Sequence, residues 1–263
     1  MKNWIPTSGA KILGRIKVFI LAIVFTSIVP ARAFSIDAQT LIEESFNYIR
    51  GNASVSLVQM TIHRPRWERQ ITIKAWTRGN RDSLFYIISP PKDRGNGTLK
   101  RAREMWMYNP KINRVIKVPP SMMSQAWMGS DFSNNDLAKS DSLLTDYVHT
   151  IIGKERAGDK IVYVVQSIPK PDAPVIWGMQ HLKIREDLIW LEETFFDEDL
   201  QPVKVMKTLQ IQKMGGRLYP RVWRMQKAGE TDRYTEITYL RLEFKERLPE
   251  RLFTLSYLRN PRR

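Results

Sequence analysis

The sequence predicts a mainly β protein with a minor α component, built on one long antiparallel sheet that curls into a closed or partial barrel. Three observations carry this. Apolar and polar residues alternate with period two over most of the chain, as in Arg69, Ile71, Ile73 and Ala75 against Glu68, Gln70, Thr72 and Lys74. The alternating runs are separated by short turn signals such as Arg78-Gly79-Asn80, Asn109-Pro110-Lys111, Ala157-Gly158-Asp159 and Gly215-Gly216, which makes sequential strands antiparallel neighbours. Counting the runs gives roughly ten to twelve strands, more than a strongly twisted open sheet carries without curling.

The first thirty residues read as an export signal. Lys2, Lys11, Arg15 and Lys17 precede an uncharged apolar run over residues 18–29, and Ala31-Arg32-Ala33 supplies an A-x-A cleavage pattern before Phe34. A run of about a dozen residues at 1.5 Å per residue is too short to cross a hydrocarbon core of ~30 Å. Cleavage after residue 33 is therefore expected, and residues 34–263 follow as one domain. No cysteine occurs anywhere, so lipoprotein acylation, disulfides and thiolate metal sites are excluded. The expected product is soluble, unlipidated and periplasmic.

After residue 33, residues 35–50 form the one long helical pattern. Leu41, Ile42, Phe46 and Ile49 fall near one face, Ser35 or Asp37 can cap the start, and Gly51 suits the end. Strand alternation then resumes, and it recurs late in the chain. Val203, Val205, Leu209 and Ile211 oppose Lys204, Thr208, Gln210 and Gln212, and Leu240, Leu242 and Phe244 oppose Arg241, Glu243 and Lys245. Each such strand is expected to keep one wet face. The one long break is residues 119–144, longer than the loops of a compact domain. It holds Met122, Met123, Trp127, Met128 and Phe132, and a solvated loop does not carry such residues. It is expected to fold either as a displaceable lid over a greasy cavity or as a fixed plug.

The formal charge is +15, from 42 Lys plus Arg against 27 Asp plus Glu. Loss of residues 1–33 removes five cations and no anions, so the remainder stays basic. For an exported chain this charge points to the anionic lipid of a membrane surface, to envelope polymers or to solubility alone rather than to nucleic acid. Asp131, Asp136, Asp141 and Asp146 recur every fifth residue, which puts successive side chains on different helical faces and fits neither a carboxylate pair nor a calcium loop. Capping and turn chemistry is expected of Asp131 and of the Ser133-Asn134-Asn135-Asp136 stretch. His63, His149 and His181 form no metal-ligand spacing. No nucleophile elbow or phosphate-binding glycine loop is present, so neither catalysis nor a cofactor is predicted.

The motifs Trp106-Met107-Tyr108-Asn109-Pro110, Arg114, Val118-Pro119, Met128-Gly129-Ser130-Asp131-Phe132, Asp136-Leu137, Thr194-Phe195-Phe196-Asp197, Pro202-Val203-Lys204, Tyr219-Pro220, Trp223 and Leu252-Phe253-Thr254 run through nearly the whole chain after residue 33. In these the chain resembles the outer-membrane lipoprotein-sorting family, the LolA-like periplasmic carriers, in a divergent branch. The resemblance implies an incomplete antiparallel barrel with helices on its concave side, enclosing a cavity for acyl chains. It implies a carrier that moves a lipoprotein or a free lipid between inner and outer membranes without catalysis, with an inner-membrane transporter as a possible donor. The alternative is a lipid-sensing regulator or transporter accessory subunit using the same cavity. Trp106, Tyr108, Arg114, Met122, Met123, Trp127, Met128 and Phe132 are the candidate ligand-binding residues.

Overall fold

The computed structural model describes residues 36–261, so the export-signal reading of residues 1–33 lies outside the described residues. Helix α1 (Ala38–Arg50) starts where Asp37 accepts the Thr40 amide at 3.0 Å and ends at Gly51, whose φ of +63° suits a residue without Cβ. Thirteen strands follow: β1 (Ala53–Arg64), β2 (Trp67–Arg78), β3 (Asp82–Ser89), β4 (Gly97–Arg101), β5 (Glu104–Asn109) and β6 (Arg114–Lys117) precede the long break. After it come β7 (Tyr147–Ala157), β8 (Lys160–Pro169), β9 (Met179–Arg185), β10 (Trp190–Phe196), β11 (Pro202–Met214), β12 (Arg217–Lys227) and β13 (Tyr234–Lys245). The count exceeds the sequence expectation because β4 and β6, of five and four residues, are too short to show a clear alternation.

All thirteen belong to one antiparallel sheet in the order β6-β5-β4-β3-β2-β1-β13-β12-β11-β10-β9-β8-β7. Each half is a meander, and the halves meet where β1 pairs with β13, Ala53 opposite Lys245 through to His63 opposite Tyr234. The sheet is strongly curved but not a closed barrel, since β6 and β7 form its two edges and do not pair with each other. Those edges are consecutive in the chain. The segment that links them, residues 118–146, therefore has to travel from one side of the sheet to the other, and it does so across the concave face.

That segment is folded, not an extended loop. It contains two 3₁₀ turns and the short helices α2 (Asn134–Ala138) and α3 (Ser142–Thr145). Ser133 and Asp136 cap α2 reciprocally, the Ser133 hydroxyl accepting the Asp136 amide at 3.2 Å and the Asp136 carboxylate the Ser133 amide at 2.7 Å. Its sharp turn puts Met128 and Gly129 at φ of +54° and +78°, so glycine is the residue that fits the second position.

Three cores result. Leu41, Ile42 and Phe46 of α1 pack on Val165, Leu182, Ile184 and Trp190 of the second meander. Trp127, Ala138 and the methionines of the crossing segment pack on Met60, Ile71, Ile73 and Met105 of the first. The third lies on the opposite, convex face, where Leu84, Tyr86, Leu99 and Tyr108 meet Phe253 and Leu258 of the C-terminal segment. There α4 (Leu255–Arg259) is tied down by the Tyr86 hydroxyl, which donates to the Leu258 carbonyl at 2.6 Å. Gly97 permits the approach, because a Cβ there would sit 2.7 Å from Leu258 Cδ1 and 2.8 Å from the Tyr86 ring.

On β11 the expected faces are exchanged. Val203 and Leu209 are exposed whereas Lys204 is buried with Met206 turned toward the interior. Irregularities in the register with β10 and β12 accompany this, at Phe195/Phe196 and at Thr208/Gln210. Leu240 is likewise exposed while Leu242 is buried. Because Phe253 is almost fully buried under a short helix, Phe253→Ala is expected to cost about 3–5 kcal/mol, read as a lower urea midpoint with unchanged slope.

Candidate functional site

The concave face does not pack solid. Between the sheet, α1 and the crossing segment lies a cavity of about 330 Å³. Val58, Ile73, Ala75 and Phe85 form one wall and Met206, Trp223, Met225 and Ile237 another, while Phe46 and Ile49 of α1 and Trp127, Phe132 and Leu137 of the crossing segment cover it. Its walls are thus aliphatic and aromatic, the composition that takes an apolar ligand. The curvature of the sheet creates it, since strands from β1 to β3 and from β9 to β13 face the same space.

The crossing segment is held over this space chiefly by its aspartates, whose long-range ion pairs add to the expected capping, which Asp136 provides at α2. Asp131 takes a bidentate pair from Arg64, at 3.1 Å on each oxygen, and the Thr235 hydroxyl donates to it at 2.6 Å. Asp136 pairs with Lys204 on β11 as well as capping α2. Asp141 pairs with the buried Lys100 on β4 at 3.0 Å, and Asp146 with Arg103 at 2.8 Å. A fifth tie is the Trp127 indole, which donates to Thr98 on β4 at 3.2 Å. The five-residue step matters after all: it turns successive carboxylates to cations on β1, β11, β4 and the β4–β5 turn, on both halves of the sheet. The sequence signal for this was the lysines within strand runs, Lys100 and Lys204, whose inward direction the alternation alone did not give.

One wall of the cavity carries a charged cluster. The Lys204 ammonium sits 4.7 Å and 4.9 Å from the rings of Trp177 and Phe195, besides pairing with Asp136. Beside it Glu193 is buried and lines the cavity. Burial pushes its carboxyl up to about 8, the Asp136 charge adds to the rise, and Lys204 partly offsets it. At neutral pH Glu193 is therefore mainly a neutral acid, able to donate one hydrogen bond into an apolar space. On the β1–β3 wall the polar lining consists of Arg50, Ser54, Ser56, Thr77 and Ser83.

The eight candidate residues divide into three groups. Trp127 and Phe132 line the cavity. Met122, Met123 and Met128 lie behind them, packed on the core under the crossing segment rather than on the cavity itself. Trp106 and Tyr108 belong to the convex-face core with Tyr86 and Phe253, and Arg114 is exposed on the edge strand β6. The period of two explains the last group: Met105 and Met107 point inward, so Trp106 and Tyr108 must point out. Sequence reasoning missed Glu193, Lys204 and Arg50 because each lies in a segment that reads as ordinary strand or helix end.

A family model described as "uncharacterized protein" matches residues 79–260. The chain belongs to that family. No curated protein sequence matches it. Among solved structures, a DUF1329 family protein from Desulfovibrio piger superposes with a TM-score of 0.75 at 22% identity, covering 84% of this chain and 97% of that one. A candidate outer membrane lipoprotein-sorting protein domain from Vibrio parahaemolyticus gives 0.72 at 17% identity, covering 85% and 98%. A LolA superfamily protein from Nitrosomonas europaea gives 0.70 at 19%, covering 85% and 100%. The fold is therefore LolA-like, as the sequence motifs implied. Among the described residues no helix is long and apolar enough to cross a membrane.

Two predictions follow from the charged wall. Lys204 and Asp136 are both largely buried, so Lys204→Met alone, which strands the carboxylate, is expected to cost about 3–5 kcal/mol, while Lys204→Met with Asp136→Leu recovers most of it in urea denaturation. Glu193 behaves oppositely to a paired carboxylate. Its folded-state pKa lies above the unfolded value, so folding takes up a proton between about pH 4.5 and 8 and stability falls as pH rises through that window. Glu193→Gln removes this dependence. The variant's stability advantage over wild type should grow between pH 5 and pH 8, by at most about 1.4 kcal/mol per unit, in paired denaturation curves.

Proposed function

We propose that the protein is a non-catalytic periplasmic carrier that takes an acyl chain of a lipid or lipoprotein into the cavity and moves it between inner and outer membranes. The observation that supports this reading most directly is the apolar cavity held open between a curved sheet and a segment pinned across it. At about 330 Å³ it lies near the lower end of the ~300–1,000 Å³ usual for small-ligand pockets, which suits one chain better than several. Each buried methylene contributes about 0.8 kcal/mol, comparable to what a bilayer offers, so loading and release stay near balance. In this reading Trp127 and Phe132 touch the chain, and Met122, Met123 and Met128 form the adaptable seat on which the crossing segment shifts. The basic surface would favour docking on anionic leaflets.

Protein purified from the periplasm without detergent is expected to carry a lipid that native mass spectrometry detects and solvent extraction releases. Stripped protein should then take up the neutral fluorophore N-phenylnaphthylamine. Ala75→Phe, which places a ring in the cavity wall, should weaken uptake by at least about tenfold with the fold retained by circular dichroism. Empty protein that also excludes the fluorophore would overturn the reading.

A further inference from the structure

The β1–β3 wall of the cavity has a chemistry that an acyl chain alone does not use. Arg50, in the last turn of α1, turns its guanidinium to this wall and donates from Nε and Nη2 to the Gly79 carbonyl, at 3.0 and 2.9 Å, and from Nη2 to the Ser83 hydroxyl at 3.1 Å. These three bonds fix the plane of the group and leave Nη1 without a protein partner among the described residues. No carboxylate lies within ion-pair distance of it there either. The nearby charges cancel elsewhere: Lys100 and Asp141 neutralise each other at 3.0 Å, and Asp82 is taken by Arg78 at 2.5 Å. Burial lowers the pKa of Arg50, with Tyr239, Tyr219 and Asp141 opposing, yet an arginine remains charged at any physiological pH. The carbonyl of Gly79 solvates this cation without neutralising it.

Beside Ser83, which the guanidinium touches, further hydroxyls line the wall. Ser54 and Thr77 share a hydrogen bond of 2.7 Å, and Ser56 and Ser83 line the same wall. Small hydroxyls on neighbouring strands β1, β2 and β3, all facing inward, form a polar patch apart from the charged cluster around Glu193 and from the aliphatic and aromatic lining. They provide donors within a low-dielectric space next to one uncompensated positive charge, the arrangement that makes charge-assisted hydrogen bonds strong. A partly buried cation without a counter-ion is costly to a fold, and a ligand that supplied the missing anion would relieve that cost on binding.

We infer that Arg50 with Ser54, Ser56, Thr77 and Ser83 forms an oxyanion-binding pole of the cavity, so that the passenger is a single-chain amphiphile with an anionic head, a carboxylate or a phosphate. This rests on the acyl-carrier reading and narrows it. The chain would lie along Val58, Ile73 and Phe85 toward Trp127, and the head would take the free Nη1 of Arg50. An amphiphile with a neutral head leaves the charge unmet and binds less well.

The test is displacement of N-phenylnaphthylamine from stripped protein by three sixteen-carbon ligands: palmitate, hexadecyl phosphate and hexadecanol. Wild type should bind at least one of the anionic ligands about tenfold or more tighter than hexadecanol, and the ranking of palmitate against hexadecyl phosphate identifies the head. Arg50→Gln should lose that preference, so that the three ligands bind with similar affinity, and Arg50→Lys should keep part of it. Equal affinity of wild type for all three overturns the pole while leaving the carrier reading intact, and a preference that survives in Arg50→Gln overturns it as well. Failure of all three to bind, with no fluorophore uptake, instead removes the carrier reading on which the pole depends. If Arg50→Gln does not fold, the wild-type ranking still decides.

Discussion

The architecture depends on one topological constraint: the two edges of the sheet are consecutive in the chain. A meander of six strands and a meander of seven are joined through β1 and β13, which leaves β6 and β7 as far apart as the sheet allows. The connection between them cannot run round the outside in under thirty residues without leaving its apolar side chains in water. Crossing the concave face buries them instead, on Met60, Ile71 and Met105. Curvature, cavity and cover thus arise together. An ordinary antiparallel hairpin loop would have placed none of Trp127, Phe132 or Leu137 over the interior.

The crossing carries a second consequence in its electrostatics. A segment laid over an apolar surface by hydrophobic contacts alone could settle in several registers, whereas one with four carboxylates, each meeting a particular cation, has a single fit. Buried ion pairs add little net stability because desolvation offsets attraction. Here they select a position, and in doing so they keep the segment from collapsing fully onto the sheet. The residual space beneath it is the cavity, and its lining includes the groups not consumed by that fitting, namely the neutral acid Glu193 and the uncompensated cation Arg50.

Much of this was readable from the chain. The antiparallel sheet, the α1 helix with its Asp37 cap and the apolar character of residues 119–144 follow from periodicity and turn chemistry, because strands with one wet face and a capped amphipathic helix leave local marks. Direction across the sheet was harder. On β11 the buried residue is Lys204 rather than Val203, since the register slips and pairing with Asp136 outweighs hydropathy there. Trp106 and Tyr108 point outward because the C-terminal segment, far away in sequence, covers the convex face. Asp131 and Asp136 read as capping and turn residues because the partners of the four aspartates lie between 41 and 104 positions away, as the Asp131–Thr235 contact illustrates at the far end. Long-range partnership leaves no local signature.

The seam between β1 and β13 has a kinetic meaning as well. β1 is among the first strands made and β13 the last, so the ladder that joins the two meanders closes only when nearly the whole chain is available. Until then β1 presents a twelve-residue open edge carrying Val58, Met60 and Ile62, three residues that are buried at the end. Contacts of such sequence separation form slowly, and an open apolar edge invites pairing with other chains. The same junction that unites the sheet thus makes the nascent chain dependent on protection from aggregation until its C-terminal hairpin arrives.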